Sequence, residues 1–292
     1  MTSSFPDRLA RAISTKNSRV CVGLDPRPDM LPQTFTDGAN GLEGIYRFCR
    51  RIIDATAEYA ACVKLQAAYF EALAPGGLAV LWRVAKWAHL HGLPIILDAK
   101  RNDIGSTAQA YASASFGRHW REPVVQADAV TVNPYLGYDG VQPFLDVSDE
   151  LRGGVFVLVK TSNPTSGELQ DLETATGRVY EVVARMVSEW GATRIGDCGY
   201  SSVGAVVGAT YPQQLAELRA LMPQTVFLVP GYGAQGGGAE DVAAAFDDDG
   251  LGAIVNSSRG IIYAYRETGG DFQQAAAEAA RTMRDDLNSV LP

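Results

Sequence analysis

Eight short apolar runs recur along this chain, and stretches with helical spacing separate many of them. The runs cover residues 20–25, 62–66, 94–100, 129–133, 154–160, 205–210, 225–231 and 252–258. Apolar residues recur with the period of an amphipathic helix in several of the intervals, for example 44–59, 78–91, 108–116, 177–190 and 213–221. Strands that alternate with helices in this way form a parallel sheet.

The runs are apolar almost throughout, which predicts that both faces of the sheet are buried. Eight strand and helix units favour a closed (β/α)8 barrel of the TIM type over an open doubly wound sheet. No linker or low-complexity segment divides the 292 residues, and one barrel commonly fills this length. We therefore predict a single α/β domain over residues 1–292.

The chain is acidic, with 25 lysines and arginines against 33 aspartates and glutamates and a net charge of -8. Such a charge repels nucleic acids and anionic membrane surfaces, so neither is an expected partner, and an anionic ligand must be held by local groups. Four cysteines with no C-x-x-C pair favour reduced thiols. Residues 1–20 contain no apolar stretch that would serve as a signal peptide or membrane span, which predicts a cytoplasmic protein.

The apolar runs end in polar or charged residues. Barrel enzymes gather their catalytic groups at the C-terminal ends of the strands, so these positions are the candidates for a site. A charged side chain in so apolar a strand is costly unless it is paired, which makes the repetition informative. The candidates are Asp25, Lys64, Asp98, Lys100, Lys160 to Ser162, Ser258 and Arg259.

The third run ends in a D-x-K-x-x-D motif formed by Asp98, Lys100 and Asp103. Asp98 and Lys100 are two positions apart on a strand, so both side chains point to the same face at the barrel mouth. Asp103 lies beyond the strand, at the start of the next helix. A simple buried ion pair accounts equally well for Asp98 and Lys100, and a helix N-cap bonded to the amide of Gly105 or Ser106 accounts for Asp103.

A lysine inside the second run, Lys64, needs a carboxylate partner, and the third strand would lie next to it. Two lysines and two aspartates would then form one network, in which alternating charges keep all four groups ionised. Within this network Lys100 would stay protonated and act as a general acid.

A glycine-rich segment, 230–238, follows the seventh run, and Arg259 follows the eighth. The loops after strands seven and eight are the usual phosphate site of barrels. Glycines let backbone amides approach an anion, and an arginine adds a bidentate donor. A flexible turn is the alternative, and the match to the dinucleotide fingerprint is weak because it lies in the seventh βα unit. The connection 162–177 is either a lid over the site or a plain surface loop.

These motifs together resemble the orotidine 5'-monophosphate decarboxylases, in particular the longer bacterial branch of that family. The resemblance to the family rests on Gly23-Leu24-Asp25, Val63-Lys64, the Asp-x-Lys-x-x-Asp-Ile motif at 98–104, Pro230-Gly231-x-Gly233-Ala234-Gln235 and Ser258-Arg259. The resemblance to the longer branch rests on Val132-Asn133-Pro134-Tyr135-Leu136-Gly137 and Lys160-Thr161-Ser162-Asn163-Pro164. It implies a barrel enzyme of de novo pyrimidine biosynthesis that converts orotidine 5'-monophosphate to uridine 5'-monophosphate. It also implies that no metal and no organic cofactor is needed.

The resemblance assigns roles to single residues. Asp25 would bind a ribose hydroxyl, and Lys64 would contact the ribose while holding Asp98 in place. Asp98 would lie against the substrate carboxylate, and Lys100 would deliver a proton to C6 of the pyrimidine as carbon dioxide leaves. Ser162 would bond the pyrimidine edge.

The remaining roles concern the phosphate and a second subunit. Gln235 and Arg259 would bind the phosphate, and Pro230 and Gly231 belong to the same substrate-binding loops. Members of the family bring three further residues into the site from a second subunit, which implies a homodimer with shared active sites. In this chain they are Asp103, Ile104 and Thr107.

Three other functions stay open at this point. A related barrel enzyme could act on a sugar phosphate through an enediolate and a divalent cation, but a carboxylate for the metal tends to occupy the place of Lys64. A Schiff-base aldolase could use Lys64, Lys100 or Lys160, although flanking Asp98 and Asp103 would hold Lys100 charged. A catalytically silent nucleotide-binding protein would have no need for the four-charge network.

Overall fold

Eight parallel strands close into a barrel in the computed structural model, which describes residues 3–36, 41–73, 75–118, 126–233 and 237–291. The strands pair in chain order, and the eighth pairs with the first, so the predicted (β/α)8 barrel is confirmed. They are β1 (Val20–Leu24), β2 (Cys62–Gln66), β3 (Ile95–Arg101), β4 (Ala129–Val132), β5 (Gly154–Lys160), β6 (Ser201–Val207), β7 (Thr225–Pro230) and β8 (Ala253–Ser257).

Helices precede, connect and follow the strands. They are α1 (Phe5–Lys16), α2 (Gly41–Thr56), α3 (Ala67–Glu71), α4 (Gly77–Leu90), α5 (Gly105–Ser115), α6 (Tyr138–Leu151), α7 (Gly167–Gln170), α8 (Val179–Gly191), α9 (Pro212–Leu221), α10 (Ala239–Val242), α11 (Arg259–Ile262), α12 (Tyr265–Thr268) and α13 (Phe272–Ser289). A short antiparallel ribbon, Glu173–Thr174 with Gly177–Arg178, lies between α7 and α8. None of the described helices is both long enough and apolar enough to span a bilayer.

Side chains of each strand alternate between two apolar cores. In β1, Val22 and Leu24 belong to the core between strands and helices, whereas Cys21 belongs to the core inside the barrel. Because both faces are buried, a strand of this kind reads as continuously apolar. The inner layer takes one or more residues from every strand: Cys21, Cys62, Ile96, Ala129, Phe156, Val206, Leu228 and Ile254.

Helix α1 closes the end of the barrel at which the strands begin. Phe5, Leu9 and Ile13 pack in the same core as the inner layer, and the rings of Phe5 and Phe156 meet edge to face with their centroids 5.9 Å apart. A Cβ on Gly154, the first residue of β5, would lie 2.4 Å from the Phe5 ring. Glycine at this position therefore lets the helix approach, and a ligand is left to enter from the other end.

The end of α13 returns to the same closed end. Asn288 Nδ2 donates to the carbonyl of Asn17 at 2.9 Å, and Asn288 Oδ1 accepts from Arg19 Nη1 at 3.0 Å. Asn17 terminates α1, and Arg19 immediately precedes β1. These bonds join the first and last long helices beside the start of the barrel.

Strand β6 begins earlier than its apolar run indicates. The run predicts a strand over 205–210, but the strand covers Ser201–Val207. Ser201 is accommodated because its hydroxyl donates to Gly191 O and accepts from Val203 N, both at 3.0 Å. A Cβ on Gly204 would lie 2.5 Å from the Phe156 ring. A serine with local bonds and a glycine required by a neighbouring ring give no apolar signal, so the start of this strand is hidden in the sequence.

Candidate active site

The C-terminal ends of the strands surround a cavity of about 580 Å³. Leu158, Val206 and Leu228 contribute apolar surface to its lining, and most of the other lining residues are polar. The polar strand ends therefore converge on one place. Ten of the residues predicted for the site line the cavity: Asp25, Lys64, Asp98, Lys100, Thr161, Ser162, Pro230, Gly231, Ser258 and Arg259.

Asp98 lies at the centre of a charged network, and its side chain is 7% exposed. Oδ2 accepts from Lys64 Nζ at 3.0 Å and from Gln66 Nε2 at 2.8 Å. Oδ1 accepts from Lys100 Nζ at 2.5 Å and from Thr131 Oγ1 at 2.8 Å. Four donors, two of them charged, thus hold the carboxylate in one orientation.

Opposite charges keep the buried members of this network ionised. Burial by itself raises the pKa of Asp98, but the charges of Lys64 and Lys100 and a hydrogen bond from Thr131 hold that pKa well below its ordinary value. Burial by itself lowers the pKa of Lys64, but the carboxylates of Asp98 and Asp25 raise it above its ordinary value. An aspartate between two lysines and a lysine between two aspartates therefore both stay charged near neutral pH.

Lys100 adopts a left-handed backbone conformation, with a φ of 50°. Its amide donates to Thr131 Oγ1 at 3.0 Å, and the pairing of β3 with β4 loses its regular register between Leu97 and Arg101. A non-glycine residue in this region costs on the order of 1 kcal/mol, so neighbouring contacts must hold it there. The side chain is 42% exposed and lines the cavity.

Asp25 is the second carboxylate near Lys64 among the residues that the structure describes. Its Oδ1 lies 3.9 Å from Lys64 Nζ, which is an ion-pair distance but too long for a hydrogen bond. The same oxygen is buried and accepts no hydrogen bond from any residue that the structure describes. A buried acceptor of this kind at a cavity wall is suited to a hydroxyl donor from a ligand.

Two of the donors to Asp98, Gln66 and Thr131, were not predicted. Gln66 follows Lys64 by two positions on β2, so the alternation of side chains along a strand could have indicated that it shares the same face. Thr131 lies on β4 beside β3 and is 1% exposed. A threonine inside a strand carries no charge and has high strand propensity, so the sequence offers no sign of this role.

The loops after β7 and β8 form a further part of the wall. Pro230 and Gly231 line the cavity with Arg259, the first residue of α11. Gly231 and Gly233 have φ values of 104° and 70°, a region that favours glycine. The glycines are therefore required by the path of the backbone, which argues against an arbitrary flexible turn. Gln235 lies outside the described residues.

The three residues expected from a second subunit are not part of the cavity lining in the described portion of the chain. Ile104 is 59% exposed, and Thr107 is exposed as well. Asp103 Oδ1 accepts from the amide of Ile104 at 2.8 Å, whereas the N-cap alternative requires the amide of Gly105 or Ser106. Ile104 and Thr107 thus lie on the surface at the start of α5.

The connection after β5 contributes Ser162 to the cavity, together with Thr161, Asn163 and Gln170. It contains a 3-10 turn, α7 and the antiparallel ribbon. Its position at the wall supports the interpretation as a cover for the site over that of a remote surface loop. Lys160, which one aldolase alternative would use, is 1% exposed and is not among the described lining residues.

A closed parallel barrel with an alternating network of lysines and aspartates at its mouth defines an enzyme of the (β/α)8-barrel class. Residues 18–269 match the family described as Orotidine 5'-phosphate decarboxylase / HUMPS family, and the chain belongs to this family.

Individual relatives are similar over nearly the whole chain. The orotidine 5'-phosphate decarboxylase of Rhodopirellula baltica is 49% identical over 285 residues, which cover 94% of this chain and 93% of the relative. That of Deinococcus radiodurans is 43% identical over 291 residues and covers 100% of this chain and 99% of its own. The solved structure of Leishmania donovani OMP decarboxylase has a TM-score of 0.79 at 36% identity and covers 98% of both chains. The resemblance inferred from the motifs is confirmed.

Proposed function

We propose that this chain decarboxylates orotidine 5'-monophosphate to uridine 5'-monophosphate in de novo pyrimidine biosynthesis. The observation that carries the proposal is the position of Asp98 between Lys64 and Lys100 at the barrel mouth. Relatives that share 49% and 43% of their residues with it are named for this activity. The barrel would act as one catalytic domain over residues 1–292, in the cytoplasm.

In the proposed reaction the bond between C6 and the carboxylate carbon breaks, and its electron pair stays on C6 while carbon dioxide leaves. The ammonium of Lys100 stabilises this carbanion and transfers a proton to C6, which leaves a neutral amine for solvent to reprotonate. Asp98 orients that ammonium through the contact of 2.5 Å and lies against the departing carboxylate. These steps use no metal and no organic cofactor.

The other cavity residues fit the parts of a nucleotide. The unsatisfied Oδ1 of Asp25 would accept from a ribose hydroxyl, and Lys64 beside it would contact the same ribose. Ser162 would bond the pyrimidine edge. The phosphate would be held on the loops after β7 and β8 by Gln235 and Arg259, and Pro230 and Gly231 belong to the same substrate-binding loops.

Replacing Arg259 with alanine should lower kcat/KM for orotidine 5'-monophosphate by about 100-fold, because a bidentate charged donor to the phosphate is lost. Arg259 lines the cavity from the start of α11. Uridine monophosphate and uridine differ by the phosphate, so the ratio of their inhibition constants measures how much the phosphate contributes to binding. Wild type should prefer the nucleotide strongly, and Arg259→Ala should lose most of that preference.

Arg266→Ala is the matched control, since this exposed arginine lies on α12 and is not among the described lining residues. It should leave both inhibition constants unchanged. An unchanged preference for the nucleotide in Arg259→Ala would contradict the assignment of the phosphate site.

We also propose a homodimer with shared active sites. The surface that carries Asp103 is apolar: Ile104 is 59%, Tyr135 76% and Leu136 45% exposed. Leu136 and Asp103 both lie next to Gly140, since a Cβ at this glycine would be 3.0 Å from Leu136 Cβ and 3.3 Å from Asp103 O. Clustered apolar side chains with this exposure mark association surfaces. Shared sites would require a second copy on this face, so that Asp103 could reach its neighbour's cavity.

A mixture of two inactive variants, Lys100→Ala and Asp103→Ala, should recover activity if the sites are shared. Random pairing makes about half of the dimers mixed, and each mixed dimer has one site with both residues intact, which restores about a quarter of wild-type activity. The measurement is the rate after the two proteins are unfolded together and refolded. No recovery would show that both residues act within one subunit.

The absorbance change of orotidine 5'-monophosphate, followed with purified protein in EDTA, tests the proposed reaction itself. Conversion to uridine monophosphate is the expected result. Each oxygen of Asp98 already accepts from an ammonium, which leaves this carboxylate poorly suited to bind a cation. Activity that appears only with added magnesium would favour the sugar-phosphate alternative. Tight nucleotide binding without turnover would favour the silent protein.

A further inference from the structure

Lys160, the last residue of β5, is a fully buried cation that the proposed reaction does not use. Its side chain is 1% exposed, and Nζ pairs with Asp171 Oδ1 at 2.6 Å. The rings of Tyr211 and Tyr180 lie 5.0 and 5.5 Å from the same nitrogen. A charge buried to this degree is stable only when it is paired with an opposite charge. Asp171 supplies that charge, so the fold depends on this residue lying next to Lys160.

Asp171 lies at the far end of the segment that carries Ser162. The two ends of this segment are also joined next to the ion pair, since Thr161 N donates to Gln170 Oε1 at 2.9 Å and Gln170 Nε2 donates to Thr161 Oγ1 at 2.7 Å. We call residues 161–171 the β5 segment. The ion pair and the two hydrogen bonds close it into a ring.

The closed segment presents one side to the cavity. Thr161, Ser162, Asn163 and Gln170 line the cavity, whereas Lys160 and Asp171 are not among its described lining residues. The other side of Ser162 packs against Gly208, where a Cβ would lie 2.9 Å from Ser162 Cβ. Ser162 is thus held between Gly208, which directly follows β6, and the ring that the Lys160–Asp171 pair closes.

We propose that Lys160 is a positioning residue for the pyrimidine, and that its ion pair with Asp171 holds the β5 segment in the shape that lets Ser162 contact the base. This inference rests on the proposed function, which places the base beside Ser162. Lys160 itself touches neither the base nor the reacting carbon. Its loss should therefore weaken recognition of the base and spare recognition of the ribose phosphate.

The test compares two competitive inhibitors of orotidine 5'-monophosphate turnover: uridine monophosphate, which has a base, and ribose 5-phosphate, which has none. Lys160→Met should raise the inhibition constant of uridine monophosphate by about tenfold or more, the scale of one lost polar contact. The constant for ribose 5-phosphate should stay unchanged. Asp171→Asn should give the same split, and because its carboxylate is 37% exposed, this variant keeps the proposal testable if Lys160→Met does not fold.

The double variant should raise the inhibition constant of uridine monophosphate no further than the more severe single variant does, since both changes break the same contact. Lys16→Met is the matched control: Lys16 Nζ donates to Ala57 O at 2.8 Å and Ala60 O at 3.0 Å at the closed end of the barrel. Lys16→Met should change the thermal stability and leave both inhibition constants unchanged.

Equal shifts for both inhibitors, or no shift in either, would overturn the positioning role while wild type remains active. If wild type neither turns over the substrate nor binds uridine monophosphate, the proposed function fails and the inference fails with it.

Discussion

Replacing Lys100 with alanine should lower kcat for orotidine 5'-monophosphate by roughly 10⁴-fold or more, because one ammonium supplies both the charge that stabilises the carbanion and the proton that quenches it. Electrostatic stabilisation and general acid catalysis would be lost together. The side chain is 42% exposed, and Asp98 keeps its other three donors. The variant should therefore fold, and single-turnover product formation in EDTA measures the loss.

Two variants control for trivial causes of this effect. Lys100→Met keeps most of the side-chain length without the charge and should be as inactive as the alanine variant. Lys86→Ala makes the same substitution at an exposed position on α4 and should retain full activity. A Lys100→Ala protein that kept more than about a hundredth of wild-type kcat would contradict the assigned role.

Replacing Asp98 with asparagine should lower the free energy of unfolding by about 3 kcal/mol at pH 7, because removal of one partner leaves a buried charge uncompensated. Among the described residues, Lys64 would keep Asp25 as its one ion-pair partner, whose oxygen is 3.9 Å away. Activity should fall as well, since the ammonium of Lys100 loses the contact that orients it. Urea unfolding followed by circular dichroism gives the stability difference.

The pH dependence of the stability difference between wild type and Asp98→Asn distinguishes the loss of charge interactions from the loss of packing. Folding lowers the pKa of Asp98, so its contribution is full above the unfolded value of about 3.9 and is lost as the pH falls towards the folded value. Folding raises the pKa of Lys64, so its contribution is full below about 10.4 and is lost as the pH rises towards the folded value. Wild type and variant should differ most between about pH 5 and 9 and less at pH 3.

An equal difference at pH 3 and pH 7 would mean that packing, and not charge, accounts for the loss. Asp149→Asn provides the comparison, since Asp149 pairs with Arg194 at 2.9 Å while 46% exposed. Asp149→Asn should lower the free energy of unfolding by less than about 1 kcal/mol.

The barrel could be predicted because its strands are buried on both faces and therefore read as apolar runs. The prediction was wrong where local bonds replace apolar character, as in β6, whose first residue is Ser201. Helix α6 was not among the stretches singled out for helical spacing, and it contains Pro143, a residue that interrupts helical patterns. The alternation of strands and helices nevertheless predicts a helix between the fourth and fifth runs.

The charged part of the site could be predicted from two simple facts, the two-residue period of a strand and the adjacency of consecutive strands in a barrel. Asp98 and Lys100 follow from the first, and Lys64 from the second. The partner of Lys160 could not be predicted, because Asp171 reaches it only through the path of an irregular segment. The cross-subunit role of Asp103 stays a prediction.

Both ends of the described chain lie beside the closed end of the barrel, where α1 seals the core and Asn288 bonds to Asn17. A fused domain or an affinity tag at either terminus would extend from the face opposite the cavity and leave its mouth free. A linker that joined the two ends would run across this closed face and would not cross the site, which suits the chain to circular permutation.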